Sequence, residues 1–180
     1  SKLVRQARQR AGMGHVDQDV REPSICPKGH ERERASGEMN QNLSARLDFA
    51  GAKLALFVGG ELAVIRRDDT PGLPYPGCLD LPGGARKPGE TPEACVLREL
   101  REELGLTLCP SALRHPRFYK APSRAWFFTA RLPAACARDV VFGDEGQSWS
   151  LMNPWDYVTA EDAVPHFRAR VRDILNGLPG

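Results

Sequence analysis

Gly84-Ala85-Arg86-Lys87-Pro88-Gly89-Glu90-Thr91-Pro92-Glu93-Ala94-Cys95-Val96-Leu97-Arg98-Glu99-Leu100-Arg101-Glu102-Glu103-Leu104-Gly105-Leu106 is the stretch that decides the reading of this 180-residue chain. Thr91 is a suitable N-cap, and Pro92 stands at the first helical turn, where its missing N–H costs nothing. A helix is predicted from there to about Leu104, with Gly105 as its C-terminal stop. On that helix Glu99, Glu102 and Glu103 fall at i, i+3 and i+4, so three carboxylates share one face. Ala94, Leu97, Leu100 and Leu104 form the other stripe, expected to pack on a sheet. Like charges at such spacings repel by a few tenths of a kcal/mol per pair, and helix stability gives no reason for them. A solvated acidic face balanced by Arg98 and Arg101 is one reading. A hard divalent cation such as Mg²⁺ resolves the repulsion better, since it takes carboxylate oxygens and keeps waters that phosphate oxygens can replace. Gly83-Gly84, just before the helix, lets backbone approach a ligand closely. Together the glycine turn, helix and acidic cluster point to metal-assisted work on a phosphate ester.

Upstream, Lys53–Val58 and Glu61–Arg67 are apolar, β-prone runs joined by Gly59-Gly60, a two-residue hairpin loop. Both alternating sets carry apolar residues, as expected for strands covered on two faces. Asp68 to Gly77, broken by Pro71, Pro74 and Pro76, reads as loop. Leu79-Asp80-Leu81 reads as a strand end stopped by Pro82-Gly83-Gly84. Downstream, Arg114–Lys120 and Ala125–Leu132 read as a strand pair around Pro122-Ser123, and Gln147–Met152 as another strand. Pro165 to Asn176 reads as a closing helix with Phe167, Val171, Ile174 and Leu175 as its stripe. Strands interleaved with two helices give an α/β layered domain.

Composition narrows the class. Lys plus Arg number 25 and Asp plus Glu 23, a net +2, which lacks the basic excess of a nucleic-acid binder. No run reaches the roughly 18–20 apolar residues of a membrane span. Five cysteines without CxxC spacing favour a reducing, cytoplasmic setting over a disulfide framework. Cys26 and His30 lack the second ligand pair a zinc site needs. Residues 1–42 mix charges with Gly, Gln and Ser and hold no lasting apolar period, so a flexible extension is expected there. Residues 43–180 are expected to form the folded domain.

The 84–106 segment resembles the signature of the Nudix hydrolases, Gly-x5-Glu-x7-Arg-Glu-U-x-Glu-Glu-x-Gly-U, with U aliphatic. Gly84, Glu90, Arg98, Glu99, Leu100, Glu102, Glu103, Gly105 and Leu106 fill every constrained position. At typical residue usage a chance match is on the order of 10⁻⁷ across a chain of this size. The resemblance implies a Nudix-type α/β/α sandwich with a mixed β-sheet. It implies that Glu99, Glu102 and Glu103 are catalytic and hold Mg²⁺ (or Mn²⁺), joined by the carbonyl of Gly84. It also implies that Glu99 or Glu102 orients or deprotonates the attacking water, and that Glu90 and Arg98 pair to brace the turn. Leu79 replaces a frequent tryptophan, and Lys87 a frequent acidic residue.

The activity implied is divalent-metal-dependent hydrolysis of a nucleoside diphosphate linked to another moiety, in MutT-like fashion a nucleoside triphosphate. An ADP-ribose or nucleotide-sugar pyrophosphatase is the alternative, with Pro122 near, though not at, the spacing associated with ADP-ribose hydrolases. A non-catalytic nucleotide-binding regulatory domain is another, disfavoured by the intact glutamates. Glu145, in Gly143-Asp144-Glu145-Gly146, is the candidate fourth carboxylate. Arg66 and Trp126 are the substrate-binding candidates for phosphate and base, whereas His115 and His166 read as surface or helix residues. The expected partners are a small-molecule nucleotide and a second copy of the chain in a homodimer, with no nucleic acid and no membrane.

Overall fold

The protein is described by a computed structural model over residues 48–177. The expectations for residues 1–42, including Cys26 and His30, lie outside the described residues. Seven strands form one mixed sheet: β1 (Gly51–Val58), β2 (Glu61–Arg66), β3 (Leu79–Asp80), β4 (Gly83–Ala85), β5 (Arg114–Tyr119), β6 (Ala125–Leu132) and β7 (Ser148–Met152). The path runs β3-β2-β1-β6-β5, with β4 on β1 and β7 on β2. β1 and β6 are parallel, every other strand pair is antiparallel, and Leu79 of β3 makes an isolated parallel bridge to Ala163. Helices α1 (Pro92–Leu104), α2 (Pro154–Thr159) and α3 (Pro165–Leu175) complete the domain.

β1 shows why the fold is layered. Its side chains alternate faces, and both faces are buried. Leu54, Leu56 and Val58 join Val96, Leu100 and Leu104 of α1 in one core. Ala55 and Phe57 join Tyr157 and Val158 of α2 and Phe167 and Val171 of α3 in the other. Helices on both faces of a mixed sheet make an α/β/α sandwich. Each fully buried leucine of α1 contributes about 1.5–3 kcal/mol against exposure.

Thr91 accepts from the Ala94 amide at 3.2 Å, and Gly105 closes α1 with φ +69°, a left-handed conformation suited to glycine. Three local expectations need correction. Ala94 is exposed, and Cys95 and Val96 take its place in the buried stripe, because the helix is rotated to bury Glu99 as well. Gly83–Ala85 does not simply stop a strand but pairs with Gly51–Lys53. A Cβ on Gly83 would stand 2.2 Å from the Ala52 carbonyl oxygen, so only glycine permits that approach. Asn153 caps the additional short helix α2 by accepting from the Trp155 amide at 2.9 Å.

Candidate active site

The β4–α1 turn delivers the box residues to one cleft of about 660 Å³, lined by Glu99, Glu102, Glu103, Gly83, Gly84 and Arg98 among others. Arg98 is the hub. Its guanidinium donates to both oxygens of Glu90 at 2.5 and 3.0 Å, to Glu99 at 2.8 Å, to Glu102 at 2.7 Å and to the Ala85 carbonyl at 2.9 Å. It is 12% exposed, and its carboxylate partners raise its affinity for the proton. Glu90 also accepts from the Lys87 amide, and the Arg98 hydrogen bond holds its carboxyl down at about 2. Glu90 and Arg98 thus clamp the loop onto the helix.

The three helix-face glutamates have unequal surroundings. Glu102 is exposed and takes Arg98 on one oxygen and Lys87 at 3.1 Å on the other, which lowers its proton affinity. Glu99 is buried and shares Arg98. Its carboxyl lies where a Cβ on Gly84 would come within 2.6–2.7 Å, so Gly84 is the floor on which it rests. Glu103 has no cation in contact among the described residues. It accepts the Gly83 amide at 2.7 Å, and burial pushes its carboxyl up to about 7 despite the pull of Lys53. The positive charge present satisfies Glu99 and Glu102 and leaves Glu103 short.

That imbalance is the test of whether the residues suit a divalent cation. Among the described residues no group of three or more His, Cys, Asp and Glu side chains is arranged to hold a metal ion as it stands. The reason is visible: one Arg98 nitrogen bridges Glu99 and Glu102, a cation already standing between two carboxylates. The donor set is all oxygen, faces one cleft and lacks positive charge at Glu103, which suits a hard ion. The Gly84 carbonyl meets the Cys95 thiol at 3.8 Å, whereas the Gly83 carbonyl accepts from Lys53 at 2.5 Å.

Glu145 reaches the same cleft through backbone chemistry that its own sequence does not show. The Val141 and Gly143 amides donate to the Leu104 and Glu103 carbonyls at 3.0 and 2.9 Å, satisfying acceptors that a helix end leaves open. The Gly146 amide then donates to Asp68 at 3.2 Å, so the loop is fixed at both ends.

A model of the NUDIX domain matches residues 51–173, the whole span from β1 into α3. The chain belongs to the NUDIX family. The chain is 43% identical over 53 residues to an 8-oxo-dGTP diphosphatase of Escherichia coli (strain K12), a match covering 28% of this chain and 41% of that relative. Among solved structures, a MutT protein from Methanosarcina mazei Go1 superposes with TM-score 0.59 at 22% identity, over 72% of this chain and 94% of that one. A C. elegans Ap4A hydrolase superposes with TM-score 0.55 at 22% identity, over 71% and 96%. These two likenesses establish the fold.

In this NUDIX chain the two substrate candidates do not line the cleft. Arg66 donates to the Gly77 carbonyl at 2.7 Å and pairs with Asp162 at 2.9 Å, so it ties the β2–β3 loop to the segment before α3. Trp126 packs beside Phe118 and Phe128 in the core under α1. Arg67, one residue beyond Arg66, lines the cleft in its place and pairs with Asp80 at 2.6 Å. Lys53 joins them, donating to Asp80 at 2.9 Å and to the Leu81 carbonyl at 3.0 Å. A second cleft of about 530 Å³ adjoins the first along Lys53, Arg67, Asp80, Gly84 and Ala85. His166, expected at a helix surface, is half-buried in its wall.

Proposed function

We propose that this chain is a hydrolase acting on a nucleoside diphosphate linked to another group, most closely a MutT-like nucleoside triphosphate pyrophosphohydrolase using Mg²⁺ or Mn²⁺. The catalytic domain is assigned to residues 43–180. The observation that carries the reading is the one-faced trio Glu99, Glu102 and Glu103 beside the Gly83-Gly84 turn, with its positive charge incomplete at Glu103. Glu99, Glu102 and Glu103 would hold the cation, with Glu145 as a further carboxylate and the backbone carbonyl of Gly84. When bound, a divalent ion neutralises phosphate oxygens and stabilises the leaving phosphate.

The chain's own groups supply the rest. Arg98 keeps Glu99 and Glu102 oriented, and the Gly83 amide fixes Glu103. Glu99 or Glu102 accepts the proton of the attacking water as its oxygen bonds to phosphorus and the bridging P–O bond breaks. Lys53 and Arg67 lie along the seam where phosphate charge would lie. The 53-residue match to the 8-oxo-dGTP diphosphatase supports the triphosphate reading. The second reading is an ADP-ribose or nucleotide-sugar pyrophosphatase; Pro122, near though not at the spacing associated with ADP-ribose hydrolases, lies in the wall of the second cleft.

The test is a Mg²⁺-dependent panel of nucleoside triphosphates (oxidised ones included), ADP-ribose, nucleotide sugars and dinucleoside polyphosphates. Activity on one class, lost in Glu102→Gln, supports the hydrolase and selects its branch. Binding without turnover across the panel would move the reading to a regulatory nucleotide-binding domain.

A further inference from the structure

The second cleft differs in chemistry from the first. Its wall away from the seam is aromatic: Tyr75 lies 5.7 Å from His166, and His166 lies 4.2 Å from Phe167, centroid to centroid. Tyr75 is 40% exposed, and no catalytic role uses it. It also has φ +55°, a left-handed backbone that a bulky residue rarely adopts and that strains the chain. The surrounding loop holds it there. The Cys78 amide donates to the Tyr75 carbonyl at 3.3 Å, and Arg66 pins Gly77 and Asp162 together. The ring is held in a clamped loop with much of its surface open to the cleft, and His166 is its one ring contact among the described residues. At the seam, the buried Arg67 Nε has no acceptor among the described residues, so that side chain keeps a spare donor beyond its pair with Asp80.

Resting on the hydrolase reading for the neighbouring cleft, we propose that the second cleft takes the aromatic base of the nucleotide. Tyr75 is its specificity-determining ring, stacking on the base from the β2–β3 loop. A ligand that spans both clefts carries its anhydride against the glutamates, its first phosphate near Arg67 and its planar heterocycle on Tyr75 and His166. A purine covers more of that wall than a pyrimidine and binds more tightly for that reason. Tyr75 and His166 already touch each other, so the base lies over their free faces rather than between them.

The experiment is equilibrium binding in EDTA, where hydrolysis plays no part. GMP, CMP, ribose 5-phosphate and pyrophosphate are titrated into wild type, Tyr75→Ala and Tyr75→Phe. Loss of one stacking ring costs about ten-fold in affinity. The expected result is a loss of that size for GMP in Tyr75→Ala, recovery to within about two-fold in Tyr75→Phe, and no change for ribose 5-phosphate or pyrophosphate. Wild type should bind GMP more tightly than CMP. Equal weakening of base-bearing and base-free ligands would mark Tyr75 as a loop support and overturn the proposal, as would unchanged GMP binding in Tyr75→Ala or no GMP binding in wild type. Selective base binding together with a silent hydrolysis panel would refute the hydrolase reading alone. Turnover without any Tyr75 dependence would refute the base site alone.

Discussion

Replacing Arg98 with methionine removes the charge that organises the box while keeping most of the side-chain volume. Moving Glu90 from its ordinary 4.5 to about 2 corresponds to roughly 3 kcal/mol at about 1.4 kcal/mol per unit, with the Arg98 hydrogen bond as the largest cause. Glu90 is 15% exposed, and solvent screening brings its share to about 2 kcal/mol. Glu99, 10% exposed, loses its only cation among the described residues as well, and a buried carboxylate left unpaired costs about 1–3 kcal/mol more. Relaxation recovers part of this, so Arg98→Met should lose about 3 kcal/mol at pH 7, or about 10 °C in Tm for a domain of this size. The Glu90 share has a definite pH dependence. Its carboxyl is depressed in the folded state, so its stabilisation is complete above about pH 4.5 and is lost as pH falls through about 2. Urea unfolding followed by circular dichroism at pH 7 and at about pH 2.5 measures both. A deficit under about 1 kcal/mol at pH 7, or one that does not shrink in acid, would show that Arg98 does not stabilise the box through Glu90.

Other perturbations separate fold from site. Gly83→Ala places a Cβ 2.2 Å from the Ala52 carbonyl oxygen at φ +123° and should cost about 3 kcal/mol or more in urea unfolding. Gly84→Ala instead drives its Cβ into the flexible Glu99 carboxyl, so solubility and Tm should hold better while Mg²⁺-dependent turnover falls about ten-fold or more. Glu103 has its carboxyl raised to about 7, so its protonated form favours folding below about pH 4.5, and that gain is lost as pH rises to about 7. Metal-free wild type should therefore lose stability over that window, and Glu103→Gln should flatten the slope in Tm scans. At pH 8, Mg²⁺ should raise the Tm of wild type and leave that of Glu103→Gln nearly unmoved.

Much of the fold was legible because its signals are local. Thr91, Pro92 and Gly105 bound α1 through cap chemistry, and Gly59-Gly60 marks the β1–β2 hairpin. The box glutamates were legible for the same reason: helical spacing alone puts them on one face. The wall of the second cleft was not. Both alternating sets of β2 are apolar, so periodicity could not say which face Arg66 or Arg67 would take, and a shift of one residue exchanges them. Trp126 and Phe127 pose the same parity problem on β6, where Trp126 faces the α1 core and Phe127 the other. Tyr75, Pro122 and His166 come from three distant segments that only the folded chain brings together. β4 stayed hidden because three residues carry no period; its pairing with β1 follows from a glycine contact across the sheet.

The most direct measurement is ³¹P NMR of a nucleoside triphosphate incubated with wild type or Glu103→Gln, with and without Mg²⁺. Mg²⁺-dependent appearance of nucleoside monophosphate and pyrophosphate is expected in wild type, and near silence in Glu103→Gln. Release of nucleoside diphosphate and inorganic phosphate, or equal turnover by the two proteins, would contradict this expectation.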